Sequence, residues 1–420
     1  MDCLTMKGCN VDFITRFSYD NQPSNVSSIF KDSKKSSIYL KSKEFLKSFV
    51  IFNPITSIVK KILRFFSTTN ELYISNNGIT IKYPDENNPD IPIDLILSKI
   101  TKPYDAVITL FWQDMLTSET LLWIYNKLHC PILIYSPDMS PMTGGCFYFG
   151  NCRNFQNGCG NCPGFNSGTA NDQSRLNFSK KKHNYQNMRC AFLGNTWMNL
   201  FAKQSNLFSE IVKAEILINP REFLPISKTV AKNKFGLIDK FILMVRSDSH
   251  PRKGNKDIIS AIKIFFSFLS ESEIENCRIL VIGDNYLSTI SRSIKSSIIN
   301  LGTVDKEKLI ECYQASDCFI NASHDDAGPS MINQSIMCGT PVVCYDNGAA
   351  IDVIENGKSG YKVATKDVTG LAHGILKIYN LKKKECSELS KTTRQVALDH
   401  NSPDAISEVL IKTIQKLSLK

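Results

Sequence analysis

Between Ser323 and Val343 the chain reads Ser-His-Asp-Asp-Ala-Gly-Pro-Ser-Met-Ile-Asn-Gln-Ser-Ile-Met-Cys-Gly-Thr-Pro-Val-Val, and this stretch narrows the choice of fold more than any other. A strand-like run, Asp317–Asn321, feeds through a Gly-Pro turn into a short helical segment. After Gly339-Thr340-Pro341 the chain re-enters an apolar strand ending at Tyr345. A strand that turns tightly into a helix N-terminus aims unpaired backbone N–H groups and the positive end of the helix dipole at one point, which suits a diphosphate. Asp326 stands just before the turn and Gln334 inside the helix, with seven residues between them. One hydroxyl-binding side chain therefore lies on each side of the phosphate cradle.

At 420 residues the chain exceeds one ordinary core, so two domains are expected. Short apolar runs alternate with longer helical patterns in both halves, the pattern of two open α/β sheets. Strands are expected at Val11–Thr15, Asp105–Leu110, Ile132–Ser136, Ala191–Leu193 and Glu215–Asn219, then at Phe241–Val245, Arg278–Ile282, Asp317–Asn321, Pro341–Tyr345 and Gly360–Val363. Helices are expected at Ser118–Leu128, Trp197–Phe208, Lys256–Leu269, Lys306–Ala315, Asp367–Leu381, Glu385–Leu398 and about Pro403–Leu419. The segment Asn219–Pro225, with two prolines, reads as the linker.

The fourteen cysteines show no secreted disulfide framework, and Met1-Asp2-Cys3-Leu4 does not open a signal peptide; a reducing cytoplasm is expected. The net charge of +10 does not point to nucleic acid, because the basic residues do not form the interleaved patch such a partner requires. They concentrate in residues 41–66, where Lys41, Lys43, Lys47, Lys60, Lys61 and Arg64 alternate with aliphatic and aromatic residues. Two readings fit that stretch: an amphipathic segment on an anionic membrane surface, or a helical excursion docked on the first domain. Pro54 and the internal lysines exclude a span.

In the second half, Arg246 closes a strand and Arg252-Lys253-Gly254 follows in the loop before a helix. Cations at the carboxyl edge of a parallel sheet are placed for a ligand phosphate, Arg as a fork and Lys as a point charge. No Asp-x-Asp motif stands in a suitable strand-end loop, so chemistry without a divalent metal is expected, and no cofactor is required for it. In the first half, Cys146, Cys152, Cys159 and Cys162 are separated by five, six and two residues in a Gly/Asn-rich loop, 144–163. A structural zinc, labile disulfides and free thiols are three readings of this set.

Asp326 and Gln334 ahead of Cys338-Gly339-Thr340-Pro341-Val342-Val343 resemble the nucleotide-sugar signature of the retaining glycosyltransferases of family 4 (group 1), which carry glutamates at both positions. Pro137-Asp138-Met139 followed by Thr143-Gly144-Gly145-Cys146 is similar to the colanic-acid-type branch, which builds bacterial exopolysaccharide and O-antigen. Many relatives have His where Pro137 stands here. The resemblance implies an α/β chain of GT-B type, two Rossmann-like domains facing a cleft. Residues 1–218 would bind acceptor, 219–400 would bind nucleotide sugar, and the helix in 401–420 would cross back to the first domain. It further implies Asp326 on the donor sugar hydroxyls, Gln334 on the ribose and the backbone of Ala327, Gly328, Pro329, Ser330 and Met331 at the phosphates, with Arg246 beside them. Arg252, Lys253, Asp326 and Asp138 would be the catalytic candidates.

The activity implied is transfer of a hexosyl residue, with retention, from a UDP- or GDP-sugar onto a lipid-linked bacterial surface polysaccharide such as O-antigen, lipopolysaccharide or capsule. The enzyme would work at the inner face of the cytoplasmic membrane. The competing reading is a weakened or non-catalytic relative that binds nucleotide sugar or serves in assembly. In the family a first strand and a Gly-rich loop precede the helix whose tail Met1–Gly8 resembles. Either the start lies upstream or this is a shortened relative.

Overall fold

The computed structural model describes residues 9–10, 12–17, 26–30, 73–74, 79–81, 86–87, 91–110, 115–284, 297–328, 330–383 and 388–419. Within them, the short β-branched and aliphatic runs form two parallel sheets. The first holds β1 (Val107–Leu110), β2 (Ile132–Tyr135), β3 (Cys190–Gly194) and β4 (Ile211–Lys213), side by side in that order. The second holds β5 (Phe241–Ser247), β6 (Cys277–Gly283), β7 (Ile298–Gly302), β8 (Cys318–Asn321), β9 (Val342–Tyr345) and β10 (Gly360–Val363). Their spatial order is β7-β6-β5-β8-β9-β10, all parallel. Strand order reverses between β5 and β8, which opens a crevice at their carboxyl ends.

Helices cover both faces of the second sheet, which is why its strands are continuously apolar. Leu243 and Val245 pack with the helices Asn255–Ser267 and Val368–Lys383 through Ile258, Ile262, Phe265, Leu371 and Ile375. Met244, pointing the other way as strand alternation requires, packs with Tyr313, Ile332, Ile336 and Val396. The helix Pro403–Ser418 begins with Ser402 as N-cap, whose hydroxyl accepts from the N–H of Ala405 at 3.2 Å. It lays Ile406, Leu410 and Leu417 against Leu133, Ala191 and Leu193 of the first sheet. No helix among the described residues is long and apolar enough to cross a membrane.

Three local expectations are corrected. Glu215–Asn219 is not a strand. The edge of the first sheet is β4, and the chain beyond it leaves the sheet toward Pro220, with the N–H of Ile218 bonded to the carbonyl of Asn401 at 2.9 Å. The strand Ile298–Gly302 was not anticipated; it is a partly exposed edge strand with a polar Asn300 at its centre, so it lacks the apolar run of a central strand. At the start, Phe13–Phe17 pairs in parallel with Val26–Phe30 in a separate two-stranded sheet, two residues later than expected. Residues 1–8 and 41–66 lie outside the described residues.

The two halves meet through polar contacts as well. Asp352 accepts from the backbone N–H of Thr196 at 2.7 Å and pairs with Lys213 at 2.6 Å. Beside it, burial and the neighbouring Asp352 carboxylate hold the Glu215 carboxyl well above its usual range.

Candidate functional site

From the end of β5 the chain runs through Asp248 into a one-turn helix, Pro251–Lys253, in which His250 Nδ1 accepts the N–H of Arg252 at 3.2 Å. Gly254 then turns at φ +67° and the helix Asn255–Ser267 starts at once. A Cβ at Gly254 would sit 1.9 Å from the carbonyl oxygen of Ala322, so only glycine lets this turn press against the loop that leaves β8. That second loop is fixed in turn: the N–H of His324 donates to the carbonyl of Arg252 at 2.8 Å. His324 Nε2 lies 2.6 Å from Asp257 Oδ2, which also accepts from the Tyr345 hydroxyl at 2.7 Å. Two loops from the two strands flanking the switch point are thereby locked side by side.

Between them lies an ion cluster. Asp326 is 3% exposed, and its Oδ2 pairs with Lys253 Nζ and, at 3.2 Å, with Arg252 Nη1. Arg252 Nη1 also donates to the carbonyl of Asp325 at 2.5 Å, while its buried Nε has no partner among the described residues. Burial alone would raise the Asp326 pKa, but Lys253 and Arg252 outweigh it and hold the carboxyl below its usual range. Tyr148 reaches this cluster from the first domain. Its ring centroid is 3.8 Å from the Arg252 guanidinium, and its hydroxyl donates to Asp326 Oδ1 at 3.4 Å.

The neighbouring Asp325 shows the opposite balance: burial pushes its carboxyl up to about 6, against the opposing pull of Arg252. Its proton is held more tightly in the folded state than in the unfolded one. Stability therefore falls as pH rises from the ordinary aspartate range through about 6, and the cost is complete above that. Asp325→Asn is expected to melt higher than wild type at pH 7.5, with a gain of roughly 1–3 kcal/mol. The gain should vanish below the ordinary aspartate pKa. Thermal melts of both proteins across that range check it, and a gain independent of pH would contradict the assignment.

The cleft beside the cluster is lined by Arg246, Asp248, Lys253, Asn321, Ser323, Asp326, Gly328, Ser330 and Met331, at the carboxyl ends of β5 and β8. Arg246 Nη2 lies 3.4 Å from Asp248, and its Nη1 lies 3.8 Å from Met331 Sδ. Ala327 is buried, its carbonyl accepting from Asn195 Nδ2 at 2.5 Å. A Cβ on Gly328 would meet Ile216 at 2.9 Å, so the first domain bears directly on this loop. Pro329 lies outside the described residues. Gln334 is on the helix Ser330–Met337, with Oε1 accepting from the Tyr313 hydroxyl at 3.2 Å.

Asp138 is buried, and its Oδ1 accepts the N–H of Ser140 at 2.8 Å at the one-turn helix Ser140–Met142. The surrounding loop is held by Lys181, which donates to the carbonyls of Ser140 and Thr143 at 2.7 and 2.8 Å and pairs with Glu86. Of the four cysteines, Cys146 is buried, and the neighbouring Cys162 together with burial holds its thiol well above the usual range. Among the described residues no group of three His, Cys, Asp or Glu side chains stands ready to hold a metal ion.

Sequence reasoning did not find Tyr148, Asn195 or Asp352. Tyr148 carried one usable signal: it follows Cys146 by two residues on the strand Cys146–Tyr148, so the two share a face.

Residues 227–396 match the family of glycosyl transferases, group 1. No curated protein sequence matches the chain. The structure superposes on sucrose-phosphate synthase from Thermosynechococcus elongatus with a TM-score of 0.61 at 14% identity, over 99% of this chain and 91% of that one. It superposes on Anabaena Alr3699/HepE, solved with UDP and glucose, with a TM-score of 0.53 at 12% identity, over 77% and 81%. The pneumococcal O-GlcNAc transferase GtfA, solved with UDP and GlcNAc, gives 0.50 at 14%, over 78% and 60%. At these identities the likeness speaks for the fold, and the fold is GT-B: two Rossmann-like domains facing a cleft.

Proposed function

We propose that this chain, whose residues 227–396 match the group 1 glycosyltransferases, transfers a hexosyl residue with retention from a UDP- or GDP-sugar to a lipid-linked bacterial surface glycan. The observation that carries the reading is the buried Arg252–Lys253–Asp326 cluster at the switch point, with a helix beginning on either side of it. As the bond from the anomeric carbon to the diphosphate oxygen breaks, that oxygen gains charge. Arg252 and Lys253, already fixed by Asp326, meet that charge without rearranging. The free Nε of Arg252 supplies an unused donor for a phosphate oxygen.

Asp326 Oδ1, which among the described residues accepts only a long hydrogen bond from Tyr148, is the acceptor for a donor-sugar hydroxyl; Gln334 serves the ribose. Asp138 shapes the acceptor side. The acceptor oxygen bonds to the anomeric carbon, and its proton leaves on the diphosphate. Solved structures of this fold hold UDP with glucose or UDP with GlcNAc, which favours a UDP-sugar here. Residues 41–66 supply the contact with an anionic membrane on which the acceptor is presented.

The test is nucleotide release from a panel of UDP-, GDP- and ADP-sugars, with membrane extract as acceptor. Release with one nucleotide class, dependent on the extract, is the expected result. Tight binding of a nucleotide sugar without release would establish the binding-protein reading instead.

A further inference from the structure

The strand Cys146–Tyr148 pairs with Thr80–Ile81, which sets Tyr148 opposite Thr80. The chain around Tyr148 is fixed on both sides. The carbonyl of Phe147 accepts the N–H of Met139 at 3.0 Å, and that of Cys146 accepts the Thr143 hydroxyl at 2.8 Å. Phe149 is 2% exposed, its ring centroid 4.6 Å from that of Phe155 and 4.8 Å from that of Phe201. With Phe149 sunk in the first-domain core, the alternation of extended chain turns Tyr148 the other way, onto the donor cluster.

Arg252 needs a second point of support there. Its Nη1 donates to the carbonyl of Asp325 at 2.5 Å and lies 3.2 Å from Asp326 Oδ2. A planar group held at one atom can still swivel about it. The guanidinium carbon lies over the Tyr148 ring, 3.8 Å from its centroid, and the attraction of a cation for the negative face of an aromatic ring removes that freedom. The hydroxyl of the same side chain donates to Asp326 Oδ1 at 3.4 Å, so ring and hydroxyl act on the two partners of one ion pair. The backbone of the loop is held separately, by Asn195 Nδ2 on the carbonyl of Ala327.

We propose that Tyr148 is a positioning residue of the donor site. Its ring orients the Arg252 guanidinium, and with it the buried Nε donor, while its hydroxyl steadies Asp326. The first domain thereby completes an ion cluster that is carried by the second. That Arg252 then meets a leaving diphosphate rests on the transferase reading; its orientation by Tyr148 does not.

The test reads Arg252 directly, since its side chain is 13% exposed and open to slow attack by phenylglyoxal. With modification mapped arginine by arginine by peptide mass, Arg252 should react at least ~3-fold faster in Tyr148→Leu than in wild type, the factor that a lost cation–ring attraction is worth. Tyr148→Phe keeps the ring and should match the wild type. Arg394, bonded to the carbonyls of Pro220, Phe223 and Met337, is the control for general loosening and should stay protected throughout.

If Tyr148→Leu exposes Arg394 as well, a shape-preserving series decides. Tyr148→Phe made with increasing numbers of ring fluorines drains the negative face, and Arg252 should react faster with each fluorine. Unchanged reactivity of Arg252 in a folded Tyr148→Leu, or a flat response across the fluorine series, overturns the proposal. Turnover gives the second readout: Tyr148→Leu should lose roughly tenfold in kcat with the KM for donor nearly unchanged, and Tyr148→Phe should retain most of it. Equal losses in the two variants would overturn the role of the ring. A wild type that releases no nucleotide from any sugar sinks the transferase reading, and the arginine mapping still decides about Tyr148.

Discussion

Asp326→Ala should lose turnover by ~10²-fold or more and also melt earlier, because the carboxylate serves both the chemistry and the fold. It sits at 3% exposure with two cations on one oxygen, so its removal leaves Arg252 and Lys253 side by side with nothing to neutralise them. Breaking a buried pair from one side is strongly destabilising. The two cations retain some contact with water, so roughly 1–3 kcal/mol is expected rather than the full penalty.

The pH dependence has a definite sign. The Asp326 pKa is held below its unfolded value, so its contribution to stability is present above the ordinary aspartate range and is lost as pH falls through the folded value. Removing Lys253 as well should restore part of the stability: the double variant Lys253→Ala/Asp326→Ala should lose less than the sum of the two single variants. Melting curves and initial rates on the three proteins check both statements. Additive losses would mean that the ion pair seen here does not form.

Gly254→Ala should be damaging both to the second domain and to the donor site. Its φ of +67° costs any other residue about 1–2 kcal/mol on its own. The new Cβ would also sit 1.9 Å from the backbone oxygen of Ala322, which no side-chain rotation relieves. The turn must open, and Lys253, its immediate neighbour, moves off Asp326. Gly236 is the natural control: its φ is also +67°, but nothing lies within 4 Å of a Cβ there. Gly236→Ala should therefore show only the backbone cost and keep its activity, while Gly254→Ala should add a further drop in melting temperature and at least a ~10-fold loss of turnover. Equal effects at the two positions would refute the contact with Ala322 as the cause.

How much of this could be read beforehand depended on where the information lay along the chain. The run from Asp317 to Tyr345 was legible because strand, turn, helix and strand follow within one stretch, each announced by its own residues. The helix Lys306–Ala315 was found at its observed bounds for the same reason. The helix Gln173–Gln186 was missed because it has no apolar stripe. Its buried face is built largely from Ser174, Asn177, Lys181 and Asn184, which hold the loop carrying Asp138 and Gly144, so the usual signal of a packed helix is absent.

The candidate cations and Asp326 were legible as residue types, but not their mutual pairing. Tyr148 meets Asp326 across 178 positions of sequence, a distance that no local pattern spans. Gln334 was legible as a residue inside the helix, but its contact with Tyr313 was not.

The helix Pro403–Ser418 has a consequence for how the protein is made. Ile406, Leu410 and Leu417 complete a core that Leu133, Ala191 and Leu193 begin. These partners leave the ribosome in the opposite order to the one in which the first sheet needs them. While the second domain is being synthesised, and can fold as a unit of its own, the nascent first sheet waits with one apolar face open. Arg189 and Glu210, which bond to Leu417 and Lys416, wait with it. That interval is when a chaperone would find its binding surface, and chains halted before residue 406 should aggregate through this sheet while their second domain is already folded.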